Sequence, residues 1–450
     1  MTIKQFYDKG LAHASYAIAS ESKMILIDPS RDPKAYYDFA QAQGARIVGV
    51  IETHPHADFV SSHAEIAAAT GATIYCSKLV GAEYIHTTFD DGDPIKLGKL
   101  TIKAINTPGH SPDSICVLVS DKTGKDYAVF TGDTLFVGDV GRPDLRENVG
   151  NIQVQREDLA RQMYRSTRQK LMTLNADVLV YPAHGPGSLC GKGMSSELWS
   201  TIGEQLENNY ALQDMSEDDF VDLLLDGQPF VPKYFENSVL LNKKGATKLE
   251  TNLEQVKKIS QSEKFDHNTL IIDTRPQVNF KTGHLHGALN IQDGGKFETW
   301  LGSIVAPNEP FYLLAANADA LEIVIHKTAK IGYETLIKGV GVYKNGDKTQ
   351  SPLADIEHFK QNMDNYTIVD IRNWTEIADG KYFEDAIAMP LPELRERAHS
   401  LPIDKPIMVH CAGGYRSAAG QSIIESVLGE SVVVYDMSDA INELKNMVFA

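Results

Sequence analysis

In the first half of the chain, short β-rich apolar runs alternate with helical stretches. Residues 17–19 and 24–27 read as the arms of a hairpin that ends at Asp28-Pro29. A further β-rich run, 47–53, stops at Thr53-His54-Pro55-His56, where proline removes a ladder donor. Strands are also expected over 100–105, 114–119, 127–131 and 177–181, and helices over 32–43, 61–70, 157–174 and 195–208. The pattern changes within 215–245. There Ser216 followed by Glu217-Asp218-Asp219 reads as a helix cap with an acidic first turn, and Gly227-Gln228-Pro229 ends that helix. A domain boundary is expected within 241–263.

The second half repeats itself. Leu270-Ile271-Ile272-Asp273-Thr274-Arg275 matches Ile368-Val369-Asp370-Ile371-Arg372, each an apolar strand closed by Asp and Arg. Gly283 and Gly380 follow those arginines at the same interval, and Ala288-Leu289-Asn290-Ile291 then matches Ala386-Ile387-Ala388-Met389. A later apolar strand, 311–314 or 406–410, precedes a helix in each unit. A period of roughly 100 residues is too long for a solenoid repeat and indicates two copies of one α/β domain.

Length and composition narrow the class. At about 150 residues per domain, 450 residues suggest about three domains. Hydrophobic residues at 42% and charged residues at 23% are ordinary for a globular chain and argue against disorder. No apolar run reaches the roughly 18 residues that a membrane span needs, and the first residues carry no charged-then-apolar signal segment. Forty-three basic and 60 acidic residues give a net charge of −17, which disfavours nucleic acid or an anionic membrane as partner. The four cysteines, Cys76, Cys116, Cys190 and Cys411, are far apart and form no C-x-x-C pair, so a reducing cytoplasm is the expected compartment.

Chemistry concentrates at strand ends. His54-x-His56-x-Asp58-Phe59 follows one expected strand, and His110, Asp133 and His184 follow others. Imidazoles and carboxylates on such loops can converge on one metal, because the strands fix where the loops lie. A lone histidine of this kind is usually structural; four such placements together are not. His63 is read as a helix-packing or hydrogen-bonding residue, and Gly283-His284-Leu285-His286 is not read as a metal site.

These motifs resemble the metallo-β-lactamase superfamily over about residues 1–240. The resemblance implies an αββα sandwich with metal between the loop ends. The superfamily's common motif is H-x-H-x-D-H, but this chain has Phe59 where the last histidine should stand. Phenylalanine cannot coordinate a metal, so a binuclear zinc site of the glyoxalase II type is disfavoured. The persulfide dioxygenase branch implies instead mononuclear Fe(II) on His54, His110 and Asp133, with zinc as the alternative. Two histidines and one carboxylate leave a face open for O2 and substrate. His56, Asp58 and His184 become outer-shell residues or the remnant of a second site. Gly138-Asp139-Val140-Gly141-Arg142-Pro143-Asp144 resembles that branch's G-R-x-D segment; Arg142 is either a cation near the substrate or the partner of a structural ion pair. Cys190, in a glycine-rich loop shortly after His184, is either a buried inert thiol or a residue near the substrate entrance.

His410-Cys411-Ala412-Gly413-Gly414-Tyr415-Arg416-Ser417 joins an apolar strand to a helix. A cysteine there faces backbone N–H groups and the positive helix end, glycines let the loop curl round an anion, and Arg416 adds charge. All three favour a thiolate and a persulfide on Cys411. The loop, including Ala412, Gly413, Gly414, Tyr415 and Ser417 as the cradle, resembles the rhodanese active site, and C-x4-R is shorter than the C-x5-R loop of related cysteine phosphatases. In the first copy the same place reads Leu314-Ala315-Ala316-Asn317-Ala318-Asp319-Ala320, without thiol or arginine. That copy is expected to lack sulfurtransferase activity.

The expected architecture is thus an α/β chain: a metallo-β-lactamase-like persulfide dioxygenase domain over 1–245, an inactive rhodanese-like domain over 260–348 and an active rhodanese domain over 355–450. The resemblance to bacterial persulfide dioxygenase–rhodanese fusions implies oxidation of a low-molecular-weight thiol persulfide by O2 to sulfite and thiol. It further implies thiosulfate formation through Cys411, sulfide detoxification and a homo-oligomer. The competing readings are a zinc thioester hydrolase with a sulfur-carrier tail and a non-enzymatic sulfur-relay scaffold.

Overall fold

A computed structural model describes residues 1–145, 155–259, 265–266, 268–344 and 349–448. The chain divides into two compact units, Met1–Asn252 with Ala329–Gly332, and Leu253–Thr328 with Tyr333–Ala450.

In the first unit two six-stranded sheets share one core. The first sheet runs, in spatial order, Thr2–Asp8, His13–Ser20, Lys23–Ile27, Arg46–Ile51, Thr73–Cys76 and Thr87–Thr88. The second runs Ser200–Thr201, Leu179–Pro182, Asp126–Gly132, Ile115–Ser120, Leu100–Asn106 and Pro94–Leu97. Strand alternation sorts the side chains: Ile115, Val117 and Val119 meet Ile18, Ile25, Ile51 and Phe130 between the sheets. Cys116 and Leu118 face the other way, towards Ala160, Met163 and Phe220 on the helices Arg156–Ser166 and Glu217–Leu225. The outer face of the first sheet likewise packs Met24, Leu26 and Val50 against Tyr36, Ala40 and Ile66 of the helices Lys34–Ala42 and His63–Thr70. The four layers are the expected αββα sandwich.

The hairpin expected at 17–27 forms, with Ala19 opposite Met24 and Tyr16 opposite Ile27. Ser216 caps its helix by accepting the Asp219 N–H at 3.1 Å. The helix expected over 195–208 is shorter, Ile202–Asn208. Thr201 and Glu204 form a capping box that starts it there, while Ser200 and Thr201 pair antiparallel with Val180 and Leu179. Ladder bonds to an existing sheet edge outweigh the helical preference of the preceding residues.

In the second unit the repeat becomes two parallel four-stranded sheets of the same order. One is Leu289–Asn290, Leu270–Asp273, Phe311–Ala315, Ile337–Val342; the other is Ile387–Ala388, Thr367–Asp370, Ile407–His410, Val434–Asp436. The repeated Asp and Arg do the same work in both. Arg275 Nη2 binds Asp273 at 2.7 Å and the Gly283 carbonyl at 2.8 Å; Arg372 Nη2 binds Asp370 at 2.7 Å and the Gly380 carbonyl at 2.9 Å. Each guanidinium also lies over a tyrosine ring, Tyr343 at 3.5 Å and Tyr382 at 3.7 Å. The arginine thus ties the strand end to the following loop. Among the described residues no helix is long and apolar enough to cross a membrane.

Removing either arginine strands a buried carboxylate. Arg275→Ala and Arg372→Ala should each cost about 3–5 kcal/mol in chemical denaturation of this unit. A loss under about 1 kcal/mol in either copy would show that the pair is not structural there.

Candidate metal centre and persulfide loop

The metal-centre residues sit where strands of the sandwich end. Arg46–Ile51 leads to His54, and Asp126–Gly132 leads to Asp133 through Gly132 at φ +51°. A Cβ on Gly132 would lie 2.5 Å from Thr53 Oγ1, so glycine is required both by the backbone and by the space. His110 follows Leu100–Asn106, and His184 follows Leu179–Pro182. Gly141 is equally constrained: a Cβ there would collide with the Asp133 carbonyl and lie 3.0 Å from the His110 Cβ.

His54, His110 and Asp133 come together as one buried group able to hold a metal ion, their ligand atoms all within 4.8 Å of one another. Asp133 Oδ2 lies 3.5 Å from His110 Nε2 and 3.8 Å from His54 Nε2. The hydrogen bonds fix which ring nitrogen can coordinate. His110 Nδ1 is 2.8 Å from the Arg142 carbonyl, which only accepts, so Nδ1 carries the proton and Nε2 presents its lone pair. Thr53 donates its hydroxyl to Asp28 at 2.9 Å and lies 3.1 Å from His54 Nδ1, so its oxygen accepts from that nitrogen. Asp133 itself is 1% exposed, and neither carboxylate oxygen has a hydrogen-bond partner. A buried, unsatisfied carboxylate facing two imidazole lone pairs suits a cation.

Two of the remaining sequence candidates share Asp133: His56 and His184 form a second buried group with it, their ligand atoms all within 4.8 Å of one another. His184 Nδ1 donates to the Ala12 carbonyl at 3.2 Å, and its Nε2 lies 3.4 Å from Asp58 Oδ2 and 3.5 Å from Asp133 Oδ1. Burial opposes a charge on His184, but Asp133 and Asp58 outweigh it and raise its pKa well above the usual histidine range. Burial would raise the Asp58 carboxyl; His184, His56 and His13 win and hold it at about 2. His56 Nε2 lies 3.3 Å from Asp28 Oδ1, on the side of the carboxylate that also anchors Thr53. Arg142 is buried, and its guanidinium holds Asp144 at 2.6 and 2.7 Å and the Leu189 carbonyl at 3.2 Å. Its own N–H donates to the Cys190 carbonyl at 2.9 Å. Arg142 therefore joins the His110 loop to the Cys190 loop. His63 lies apart, 3.7 Å from Glu52, its pKa pushed down to about 3 by burial and His56. His284 stacks on Phe280 at 3.9 Å.

Several supporting residues escaped the sequence reading. The His13 ring stacks on Phe59 at 3.7 Å and lies 5.8 Å from the His184 ring. Asn242 donates to both the His56 and Phe59 carbonyls at 2.8 Å and accepts from the Ser61 N–H at 2.8 Å; Tyr234 donates to the Asp58 carbonyl at 3.0 Å. Asn242 lies in the helix Phe235–Lys244 and Tyr234 just before it, far from the motif in sequence, so no local spacing reveals them.

In the second rhodanese-like copy, the strand Ile407–His410 delivers Cys411 to the start of the helix Ser417–Leu428. Gly414, at φ +88°, donates its N–H to Cys411 Sγ at 3.2 Å. Arg416 is held by both oxygens of Glu376, at 2.6 and 2.7 Å; the sequence did not single out Glu376, which also caps its own helix through the Asn373 N–H at 3.0 Å. The first copy touches this loop directly. Gln277 donates to the Gly414 carbonyl at 3.1 Å, Gln292 to the Tyr415 carbonyl at 3.0 Å, and Trp300 faces the Arg416 guanidinium at 5.7 Å. Ser417 Oγ and Lys445 Nζ donate to the Gly414 and Ala412 carbonyls, each at 3.2 Å. Gly413 lies in the same turn.

An αββα sandwich with a His/Asp cluster able to hold a metal ion is followed by a duplicated α/β domain with a cysteine at one strand-to-helix turn. Residues 8–184 match the metallo-beta-lactamase superfamily, and 252–346 and 355–439 each match the rhodanese-like domain. A crystal structure of a metallo-beta-lactamase from Staphylococcus aureus is 30% identical with a TM-score of 0.69, covering 76% of this chain and 99% of that one. A probable metallo-hydrolase of Burkholderia pseudomallei is 29% identical over 259 residues, 49% of this chain and 84% of that protein. The mitochondrial persulfide dioxygenase of Homo sapiens is 29% identical over 167 residues, 36% of this chain and 58% of that protein. The chain belongs to the metallo-β-lactamase superfamily and carries two rhodanese-like domains behind its metal-binding domain.

Asn242→Ala removes three hydrogen bonds from the His56–Ser61 loop and should cost about 1–3 kcal/mol in stability, with weaker metal retention on dialysis. Gly141→Ala should abolish metal binding while the unit stays folded by circular dichroism. Retention of a full complement of metal by Gly141→Ala would contradict the close packing at Asp133.

Proposed function

We propose that the protein is a persulfide dioxygenase coupled to a rhodanese. The observation that carries this reading is the buried trio His54, His110 and Asp133 beside a phenylalanine at position 59. His54, His110 and Asp133 would hold Fe(II), which, unlike closed-shell zinc, would supply electrons to share with O2. The overall change is RSSH + O2 + H2O → RSH + sulfite + 2 H⁺, in which the terminal sulfur is oxidised and O2 reduced. The chain's own residues orient this chemistry. The Arg142 carbonyl and Thr53 hold the two imidazoles in the coordinating tautomer, and His13 and Phe59 line one side of the site with ring faces.

Cys411 then carries the sulfur-transfer half. Its thiolate attacks the outer sulfur of a second persulfide, the S–S bond breaks, and the thiol RSH departs. The Cys411 persulfide passes that sulfur to sulfite, giving thiosulfate and restoring the thiolate. The Gly414 N–H and the start of the helix Ser417–Leu428 stabilise the anion in both states. Arg416, fixed by Glu376, supplies a cation whose direction does not wander. Similarity to human persulfide dioxygenase supports this reading; similarity to a probable metallo-hydrolase supports thioester hydrolysis on zinc as the second one.

Protein purified without air should contain about one iron in the first site and consume O2 when given glutathione persulfide. Zinc, with no O2 uptake after Fe(II) reconstitution, would favour the hydrolase. Cys411→Ala should leave O2 consumption intact and stop thiosulfate formation; unchanged thiosulfate output would remove Cys411 from the scheme.

A further inference from the structure

The Cys411 loop has Arg416 as its own cation, but that charge is committed. Both ends of the guanidinium bind Glu376, at 2.6 and 2.7 Å. Burial opposes the charge on Arg416, and Glu376 and then Cys411 outweigh it. The arginine therefore serves its own carboxylate and the thiol, and its pair with Glu376 carries no net charge. Sulfur transfer to sulfite needs more. Sulfite and its product thiosulfate both bring an SO3 group with up to two negative charges towards a persulfide anion, on a chain whose net charge is −17. Asp439, packed against Gly414, adds to that repulsion. A second, uncommitted cation is needed where the anion enters.

We infer that Lys445 is this cation, and that it binds the SO3 group of sulfite or thiosulfate while the sulfur end meets Cys411. Lys445 lies on the helix Ile441–Val448. Its Nζ donates to the Ala412 carbonyl at 3.2 Å and to Asn442 Oδ1 at 2.9 Å. Asn442 stands one turn earlier, beside the next loop residue: a Cβ on Gly413 would lie 4.0 Å from its Oδ1. The two bonds use two of the three N–H groups of the ammonium and leave one to donate. Among the described residues Lys445 forms no ion pair, so no carboxylate neutralises it.

The exposure of the loop selects the same side. Cys411 is buried, Ala412 half-buried and Gly413 exposed. Beyond Gly414 the first copy holds the loop: the Tyr415 hydroxyl donates to the Gln292 carbonyl at 3.1 Å, and Trp300 faces Arg416. The anion thus reaches the sulfur over Ala412 and Gly413, beside Lys445. In the transfer, the lone pair on the sulfur of sulfite attacks the outer sulfur of the Cys411 persulfide. A new S–S bond forms as the old one breaks, and the electron pair of the broken bond returns to the Cys411 thiolate. With the persulfide ionised no proton moves, so Lys445 supplies charge and direction alone.

This assignment rests on the sulfur-transfer half of the proposed function, and a single-turnover experiment separates the two. Full-length protein, kept anaerobic so that no dioxygenase turnover intervenes, is loaded with glutathione persulfide and freed of the excess. It is then mixed with sulfite or with dithiothreitol, a neutral acceptor. Loss of the sulfur from Cys411 is followed by intact mass, with Cys411→Ser as the blank. Lys445→Gln should slow the reaction with sulfite about tenfold more than the reaction with dithiothreitol, the scale of one charge-assisted contact. Lys445→Arg should restore most of the sulfite rate. Equal slowing with both acceptors, or no slowing with sulfite, overturns the assignment and leaves transfer through Cys411 standing. Wild-type protein that takes up no sulfur on Cys411 overturns the assignment and the sulfur-transfer reading together.

Discussion

Burying the Asp133 carboxylate sets the terms for the whole sandwich domain. An ionised carboxylate taken out of water needs compensation of several kcal/mol. Asp133 receives none from hydrogen bonds, and His54, His110 and His184 lie 3.5 to 3.8 Å from its oxygens. The local backbone is built around that fact. Gly132 turns the chain where only glycine fits, Gly141 lets the next loop pass close to the Asp133 carbonyl, and the Ala183 N–H donates to the Gly132 carbonyl at 3.0 Å. Three strand ends are thereby locked to one another before any metal is considered. The two sheets supply the rigidity, since their shared core holds the strand ends in register.

Hydrogen bonds behind the histidines give the cluster a direction. Backbone carbonyls of Ala12 and Arg142 fix the tautomers of His184 and His110, and Asp28 acts through Thr53 on His54. Arg142 links these bonds to the Cys190 loop, so a change at one loop is felt at the other. The structural ion pair with Asp144 and the proximity to functional loops are two aspects of one residue.

The duplicated domain shows how one framework accommodates two fates. Both copies keep the Asp–Arg–tyrosine arrangement that closes the strand, because its loss would expose a buried charge. Only one copy keeps a thiol at the strand-to-helix turn. The other keeps contact with that turn through Gln277, Gln292 and Trp300, so it braces the carbonyls of the loop that carries Cys411. The copy without the thiol thus has a mechanical part to play at the other copy's loop.

The sequence by itself determined the layered α/β class, the duplication, the candidate ligands at strand ends and the Cys411 turn. Each is written locally: in the period of apolar residues, in Asp and Arg closing a strand, in glycines beside a nucleophile. It also allowed a helix over 195–208 that sheet pairing at Ser200 and Thr201 shortened. Tertiary structure alone brought the Cys190 thiol to Asp58 and His184, because it comes from a loop more than a hundred residues after Asp58. It alone recruited Asn242 and Tyr234 to hold the His54 loop, and set Asp28 beside His56, which also groups with Asp133 and His184. Such choices depend on which buried groups meet across the fold, and distance along the chain carries no record of that.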